Sequence, residues 1–250
     1  MSDVVGAEVA ALQAGLAPHS DAGGSAPEEM LRGDSRRSLH GDIVAICDDV
    51  ARMGDLVEIA IARAVRAVAE RDVTEAEAVI GGDSAINALQ QRVREACYRV
   101  IVTQAPMACD LRAVMAAMQM CSELERMGDH CVSISKQARA LAAMPAAPIP
   151  AELPRLGELC ARQVRGVLVA MVRRDPDAAR AVAQGDDGVD LVYHRLVDTL
   201  LGSLPVDADA AFRITNLVLV AHHLERIGDR VTNLAEDVIF AATGVVLDLG

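Results

Sequence analysis

A duplicated hexapeptide constrains the fold of this chain more than any other feature of its 250 residues. Residues 124–129 read Leu-Glu-Arg-Met-Gly-Asp, and five of these six residues recur at 224–229, an offset of 100. Two upstream dipeptides recur with an offset of 103: Arg71-Asp72 as Arg174-Asp175, and Gly82-Asp83 as Gly185-Asp186. Because self-similarity at a nearly constant spacing is the signature of a repeated structural unit, the sequence predicts two copies of one module in tandem.

The module is predicted to be helical, because apolar residues recur every three or four positions in both copies. In the first copy this spacing predicts helices at about 43–70, 73–104 and 106–141. Pro106 suits the first turn of the third helix, where a missing N–H costs nothing, and the Gly81-Gly82 pair weakens the second helix. The second copy predicts helices at about 152–174, 176–203 and 208–242, with Gly244 as a C-terminal cap.

Prolines at positions 145, 148 and 150 separate the two copies, since proline ends a helix and restricts the residue before it. We therefore expect an all-α chain of two tandem three-helix bundles related by internal duplication. The first repeat spans 40–143 and the second spans 152–244, with a proline-rich linker at 144–151. Residues 1–39 are rich in turn formers and are predicted to be a disordered N-terminal extension, and 245–250 form a C-terminal tail.

Composition excludes several classes of protein. Hydrophobic residues make up 52% of the chain but aromatic residues only 2%, which disfavours aromatic-rich β-sandwiches and base-stacking surfaces. The net charge of −12 argues against nucleic-acid binding. No apolar run reaches the roughly 18 residues of a membrane-spanning helix, so membrane insertion is not expected. The six cysteines form no Cys-x-x-Cys pair, which indicates buried thiols in a reducing, cytoplasmic setting.

Each hexapeptide places two carboxylates on one helix face, because residues four apart project together. In the first repeat these are Glu125 and Asp129. If the second and third helices form an antiparallel hairpin about residues 105–106, Asp83 lies level with Asp129, and Asn87 lies level with Glu125. Four oxygen-bearing side chains from two helices are enough to hold a cation, with water completing its coordination shell.

The second repeat gathers an equivalent set of acidic side chains: Asp186, Asp190, Glu225 and Asp229. His194 follows Asp190 by one helical turn and is a candidate extra ligand through its ring nitrogen. The turn between the second and third helices is looser here than in the first repeat. The positions of the acids on the two helices, measured along the helix axes, are therefore matched only to within about one helical turn.

Two interpretations of these acids remain open. A single Glu-x-x-x-Asp pair is usually a solvated helix face, and Arg126 or Arg226 would then neutralise its neighbour. Two matched copies favour metal binding instead. Gly128 and Gly228 stand inside the hexapeptides, where glycine costs about 1 kcal/mol relative to alanine. Close approach of an ion cluster, or tight packing of two helices, would each offset that cost.

Several segments resemble the PhoU family of phosphate-signalling proteins. They are the two hexapeptides, Gln-Ala-Pro-Met-Ala-Cys-Asp-Leu-Arg at 104–112, and Asn-Leu-Ala-Glu-Asp-Val-Ile-Phe at 233–240. The resemblance covers residues 38–244 and implies a PhoU-like fold of two similar three-helix bundles that forms a homodimer. It also implies a protein without enzymatic activity, a negative regulator of phosphate uptake and of the phosphate-starvation response.

The resemblance further implies an adaptor between the phosphate ABC transporter and a sensor histidine kinase, cytoplasmic and peripherally associated with the inner membrane. It implies divalent or iron-type metal ions, one site or cluster in each bundle, held by seven acids: Asp83, Glu125, Asp129, Asp186, Asp190, Glu225 and Asp229. Position 87 departs from the family pattern, because Asn87 offers an amide oxygen without charge where the family has an acid. We therefore predict that the first site binds metal more weakly than the second, or not at all.

Two other functions fit part of the pattern. Carboxylate-bridged metals in helical bundles also support oxygen chemistry, but those sites use Glu-x-x-His pairs. Gly128 and Gly228 stand three positions after Glu125 and Glu225, where such an enzyme requires histidine. A plain helical scaffold in another signalling circuit is the remaining alternative, and a measurement of metal binding separates it from the regulator.

Overall fold

The computed structural model describes residues 26–202 and 207–249, with side chains from Arg37 onward. This part of the chain is helical and contains no strand. The first repeat contributes three helices: α1 (Ala26–Glu70), α2 (Val73–Gln104) and α3 (Cys109–Ala142). The second contributes four: α4 (Glu152–Arg173), α5 (Pro176–Ala183), α6 (Asp186–Gly202) and α7 (Ala208–Thr243). The predicted all-α fold of two similar units is confirmed.

The first helix begins well before the predicted start near residue 43. It begins at Ala26 and so includes part of the stretch predicted to be disordered, 1–39. Residues 26–32 read Ala-Pro-Glu-Glu-Met-Leu-Arg. A proline in the first turn, acids near the N-terminus and strong helix formers after them all favour a helix start here, although the segment lacks the apolar periodicity of the helices that follow. The rest of the predicted extension, residues 1–25, lies outside the described residues.

The predicted helix at 176–203 is wrong, because the structure divides it into α5 and α6 at Gln184-Gly185. At the break, the N–H of Gly185 donates to the carbonyl of Val182 at 2.9 Å, an i→i−3 bond that tightens the turn. A Cβ at Gly185 would lie 3.1 Å from that same oxygen. By contrast, α2 runs without a break through Gly81-Gly82, where an added Cβ meets nothing within 4 Å. Glycine lowers the helix propensity at both places, but the chain leaves the helix only at Gly185, where the tight turn forms.

The third helix also begins later than predicted. Pro106 lies in the loop before α3 and not in its first turn. Ala105 and Ala108 flank this loop with positive φ angles of 43° and 49°, a conformation that costs a residue with a side chain about 1–3 kcal/mol. Since neither alanine is helical, α3 starts at the following residue, Cys109.

Aliphatic side chains fill one continuous core that spans both repeats. Most of its largest fully buried members come from four long helices, among them Met53 and Ile61 of α1, Leu124 and Ile134 of α3, Leu156 of α4, and Leu224 and Leu234 of α7; α6 adds Leu196. Full burial of one such side chain contributes roughly 1.5–3 kcal/mol. The helices α2 and α6 pack on the flanks of this core, so polar residues on them can face α3 and α7 near the protein surface.

The two repeats meet with approximate two-fold symmetry between α1 and α4. Gly54 of α1 faces Leu168 of α4, and the equivalent pair, shifted by 103, is Gly157 of α4 facing Val65 of α1. A Cβ would lie 2.2 Å from Leu168 at the first glycine and 2.6 Å from Val65 at the second. Both glycines therefore permit a helix approach that any side chain would prevent without rearrangement.

The same symmetry relates α3 to α7. Nδ1 of His130 lies 3.2 Å from Nδ1 of His223, and Arg230 donates to Glu123 at 2.8 Å. The two contacts are equivalent, because at an offset of 100 His130 corresponds to Arg230 and Glu123 corresponds to His223. Because residue numbers rise on one helix as they fall on the other, α3 and α7 are antiparallel, and the two α2–α3 and α6–α7 hairpins point to opposite ends of the molecule.

The cysteines and the helix lengths test two further predictions. Cys97, Cys121, Cys131 and Cys160 are buried free thiols, as expected, but Cys109 is exposed because it opens α3 next to the loop. No helix in the described parts of the chain is long and apolar enough to cross a membrane.

Candidate functional site

The structure brings the predicted side chains of the first repeat together across α2 and α3. We call Asp83, Asn87, Glu125 and Asp129 the first acid cluster. Asn87 donates from Nδ2 to Oδ2 of Asp83 at 2.8 Å. The other oxygen, Oδ1 of Asp83, is buried and has no hydrogen-bond partner within the described chain. A buried carboxylate oxygen without a donor is unfavourable, so a cation or proton beside it would be stabilising.

Gly128 allows α2 and α3 to approach each other at this cluster. A Cβ on Gly128 would lie 3.1 Å from Oδ1 of Asp83 and 3.1 Å from Cδ1 of Ile86. A cavity of about 80 Å³ lies beside these residues and also borders Cys131. The glycine thus serves helix packing and places the Asp83 carboxylate against the backbone of α3.

Burial and mutual repulsion act on the carboxylates of the first acid cluster. Burial raises the pKa of Asp83, the hydrogen bond from Asn87 opposes that rise, and Asp129 adds to it. Burial also raises the pKa of Glu125, with Asp129 and then Asp83 adding to it. Gln90 supplies a hydrogen bond to Glu125. Gln90 was not among the predicted residues, although it lies three positions after Asn87 on the same helix face.

The second acid cluster comprises Asp186, Asp190, Glu225 and Asp229, and it lies across α6 and α7. Burial and the neighbouring carboxylates, Asp190 first and Asp229 second, raise the pKa of Asp186 to about 6. Burial also raises the pKa of Glu225, and Asp229 adds to it. Gly228 repeats the contact of the first cluster, because a Cβ there would lie 3.0 Å from Oδ1 of Asp186. The two clusters therefore share the close contact between the hexapeptide glycine and an aspartate of the facing helix.

The two hexapeptide arginines behave differently. Arg226 donates from Nη1 to Oδ2 of Asp229 at 2.9 Å, so the solvated-face interpretation holds in part for the second cluster. Arg126 instead donates to Glu123 at 3.1 Å, outside the first cluster. Asp129 is therefore not neutralised by the arginine of its own hexapeptide in the way Asp229 is.

The second acid cluster also has an unsatisfied carboxylate oxygen, on Glu225. Its Oε2 is buried and accepts no hydrogen bond within the described chain. Nδ1 of His222 lies 3.3 Å from this oxygen, which is close enough for an ion pair when the imidazole is protonated. The contact does not meet hydrogen-bond geometry, so Oε2 remains without a donor when His222 is neutral.

Tyr193, which was not predicted, faces the second acid cluster. Burial raises the pKa of the Tyr193 hydroxyl, and Glu225 and Asp190 add to the rise. Tyr193 follows Asp190 by three positions, the spacing of one helix face, and this spacing could have revealed it. The predicted extra ligand, His194, is exposed, and its ring centroid lies 5.3 Å from that of Tyr193. A ligand role for His194 stays a prediction.

The types of side chain in the two acid clusters suit a metal ion, but their positions do not form a ligand set. Carboxylate and amide oxygens suit a hard divalent cation, and the orphaned oxygens of Asp83 and Glu225 are free to bind one. However, within residues 37–202 and 207–249 no three His, Cys, Asp or Glu side chains are grouped so that they could hold an ion together. The donor set fits a metal, and side-chain rotations would be needed to complete its shell.

These features define a class of protein: a tandem pair of helical bundles, each with acidic side chains facing one another across its last two helices. The PhoU domain model matches both repeats, at residues 50–138 and 153–238, so the chain belongs to the PhoU family. The family predicted from the hexapeptides is confirmed.

Relatives match almost the full length of the repeats. The chain is 37% identical over 213 residues to a phosphate-specific transport system accessory protein PhoU homolog of Zymomonas mobilis, covering 85% of this chain and 90% of that protein. A homolog of the same name from Caulobacter vibrioides is 34% identical over 209 residues, 83% of this chain and 91% of that protein.

Crystal structures with the same fold confirm the arrangement of helices. PhoU from Pseudomonas aeruginosa superposes with a TM-score of 0.78 at 30% identity, and the match covers 83% of this chain and 100% of that chain. The phosphate transport system regulatory protein PhoU from Streptococcus pneumoniae also has a TM-score of 0.78, at 29% identity, covering 84% of this chain and 99% of that one.

Proposed function

We propose that this chain is an accessory protein of a phosphate-specific transport system and a negative regulator of phosphate uptake and the phosphate-starvation response. The observation that carries this proposal is the match of both repeats to relatives named for that system, over 90% of the length of the Zymomonas protein. A match to both repeats indicates that the whole architecture is shared, and not one module alone.

In this proposal the protein is a cytoplasmic homodimer that acts at the inner face of the membrane. It links the phosphate ABC transporter to a sensor histidine kinase, and its acid clusters bind divalent or iron-type metal ions. The raised pKa values of Asp83, Glu125 and Asp186 support this, because carboxylates that repel each other while partly buried are stabilised by a cation. A bound ion would join α2 to α3 or α6 to α7, and so stiffen the helix faces on which partners dock.

The proposal does not include catalysis. The relatives are named as accessory or regulatory proteins of transport. The positions three after Glu125 and Glu225 are the packed glycines of the hexapeptides, and a histidine side chain there would clash with Asp83 or Asp186. Both hexapeptides lack the Glu-x-x-His pairs of oxygen-activating bundles, and this helix packing disfavours a histidine at those positions.

Gene deletion in the source bacterium tests the regulatory role. With ample phosphate, deletion should raise phosphate uptake and activate phosphate-starvation reporters, and the wild-type gene on a plasmid should restore repression. Repressed reporters and normal uptake after deletion would contradict the proposal. Complementation with Asp186→Asn/Glu225→Gln tests the second acid cluster, and Asp198→Asn, an exposed acid further along α6, serves as the matched control.

Metal binding is tested separately on the purified full-length protein. After treatment with a chelator, the protein is dialysed against Mg²⁺, Mn²⁺ or Fe²⁺ and analysed for bound metal. Wild type should retain at least one ion per chain that the Asp186→Asn/Glu225→Gln variant loses, while Asp198→Asn retains it. Equal metal content in wild type and the double variant would remove metal from the proposal and leave the regulatory role standing.

A further inference from the structure

Imidazole side chains meet where the two repeats cross. Nδ1 of His130, on α3, lies 3.2 Å from Nδ1 of His223, on α7. The ring of His222 lies next to that of His223, with 6.2 Å between the ring centroids. Three of the six histidines of the chain are therefore grouped at this one crossing of α3 and α7. We call His130 and His223 the histidine pair.

The equivalent crossing of α3 and α7 is built from opposite charges. There Arg230 corresponds to His130 and Glu123 corresponds to His223, and the two side chains form an ion pair at 2.8 Å. At the first crossing, by contrast, two bases face each other. Because the lone pairs of two ring nitrogens repel at this distance, a proton or a metal ion held by both of them is stabilising.

The separation of the two nitrogens suits a transition-metal ion. Zinc binds histidine nitrogen at about 2.0–2.1 Å in tetrahedral geometry, which separates two such nitrogens by roughly 3.3 Å. The two Nδ1 atoms are 3.2 Å apart, and the ring planes are tilted by 42°. Rotation of the rings about their Cβ–Cγ bonds aims both lone pairs at one point. Since both histidines are only half-buried, water can complete the coordination shell.

The charged side chains around the histidine pair leave room for a cation. The charges of Arg226 and Arg230 reach His130. Arg226 is paired with Asp229 at 2.9 Å, and Arg230 is paired with Glu123 at 2.8 Å. The two carboxylates therefore offset the charges of the two arginines. Imidazole nitrogen is a ligand that zinc, nickel and copper favour, whereas Mg²⁺ and Mn²⁺ favour the oxygen ligands of the acid clusters.

We propose that the histidine pair binds a divalent transition-metal ion such as Zn²⁺ through its two Nδ1 atoms. Each neutral imidazole carries its proton on Nε2 and gives the lone pair of Nδ1 to the ion, and water occupies the remaining positions. The ion joins α3 of the first repeat to α7 of the second, whereas each acid cluster lies within one repeat. The site requires neither the acid clusters nor the phosphate-related role.

Zinc binding to the purified full-length protein tests this site. The protein is stripped with a chelator and kept in excess Mg²⁺ to occupy the acid clusters. Its accessible thiols, Cys109 among them, are blocked with iodoacetamide because thiolates also bind zinc. Competition with a chromophoric chelator then measures the affinity for Zn²⁺. His130→Gln and His223→Gln should each lower this affinity at least about 10-fold. His40→Gln, which replaces an exposed histidine of α1, should leave the affinity unchanged.

Equal affinity for Zn²⁺ in wild type and in both variants of the histidine pair would overturn the proposal. So would a loss of binding from Asp186→Asn/Glu225→Gln or His222→Gln when His130→Gln binds as wild type does, because the ion would then lie in the second acid cluster.

A spectroscopic readout identifies the ligands without any substitution, so it holds even where a variant fails to fold. Cu²⁺ bound to the thiol-blocked wild-type protein should give an electron paramagnetic resonance spectrum with hyperfine coupling to two imidazole nitrogens. His130→Gln should reduce this to one. A wild-type spectrum with oxygen ligands only, or with one nitrogen, would overturn the proposal.

Discussion

The two acid clusters stand on equivalent helix hairpins but differ in how they relieve the repulsion between their carboxylates. In the first, Asn87 donates a hydrogen bond to Asp83. In the second, the equivalent residue is Asp190, and it is the foremost neighbouring charge that raises the pKa of Asp186 to about 6. Asn87 therefore satisfies one oxygen of the Asp83 carboxylate, whereas Asp186 has no such amide beside it and gains more from a proton or cation supplied from outside.

The backbone adds a second difference. Asp83 lies inside the uninterrupted α2, while Asp186 is the first residue of α6, after the break at Gln184-Gly185. The positive end of the α6 dipole favours a charged carboxylate at that position, so it opposes the rise in the pKa of Asp186. The two copies of the site thus differ in one side chain, Asn87 against Asp190, and in the turn that precedes Asp186. The contact between glycine and aspartate is the same in both.

The largest expected effect is on metal content. Glu225→Ala should remove most of the metal from the purified protein, with affinity at the second cluster falling by about 100-fold, because it deletes a ligand from the more highly charged site. Glu125→Ala should remove much less. Elemental analysis after dialysis measures both, and a greater loss from the Glu125 variant would invert the comparison.

Exchanging the one differing side chain should make the clusters alike. Asn87→Asp adds a fourth carboxylate to the first cluster and should raise its metal affinity by about 10-fold. Asp190→Asn is the reciprocal change and should lower the affinity of the second by a similar factor. Titrations with Mn²⁺ would report both. If the two substitutions leave the affinities unchanged, charge at this position is not what separates the clusters.

The glycines should behave as equivalents. Gly128→Ala and Gly228→Ala each place a Cβ 3.0–3.1 Å from an aspartate oxygen and from a neighbouring aliphatic side chain. Overpacking outweighs the gain in helix propensity, so each should lower the free energy of unfolding by about 1–2 kcal/mol in urea titrations of chelator-treated protein. Gly81→Ala on α2, where a Cβ meets nothing, should instead be neutral or stabilising. A large cost at only one hexapeptide would show that the backbones are not equivalent.

The smallest effect is a dependence of stability on pH. The pKa of Asp186 is raised in the folded protein to about 6, so the folded state binds more protons than the unfolded state between the two pKa values. Asp186 therefore destabilises the metal-free protein above pH 6, and this effect disappears as the pH falls below its unfolded pKa of about 3.9. Solvent screening of this partly exposed group limits the effect to about 1 kcal/mol.

Asp186→Asn tests this dependence. In urea titrations of metal-free protein it should be stabilising at pH 8 and close to neutral at pH 4.5. Asp83→Asn should give a smaller gain at pH 8, because the charged Asp83 carboxylate already receives the hydrogen bond from Asn87. A gain from Asp186→Asn that is equal at both pH values would mean that packing, and not charge, produces it.

Much of the molecule could be predicted from local sequence signals. Apolar spacing predicted most of the helices, and the duplicated hexapeptides predicted the repeat. An antiparallel hairpin about residues 105–106 predicted that Asp83 lies level with Asp129. The errors lie where local signals compete. Gly81-Gly82 and Gly185 look alike in sequence, but only Gly185 has an N–H that closes a turn on Val182. Pro106 suits a helix start, yet the positive φ of Ala108 delays it.

The sequence by itself determined the helical class, the duplication and the residues that carry charge, because each of these depends on spacing along the chain. The tertiary structure alone decided which carboxylate oxygens are orphaned, that Tyr193 faces the second acid cluster, and that Arg71 binds carbonyl groups at and just after the end of α3. Burial and hydrogen bonding depend on groups brought together from distant parts of the chain, and neither periodicity nor a short motif encodes those distances.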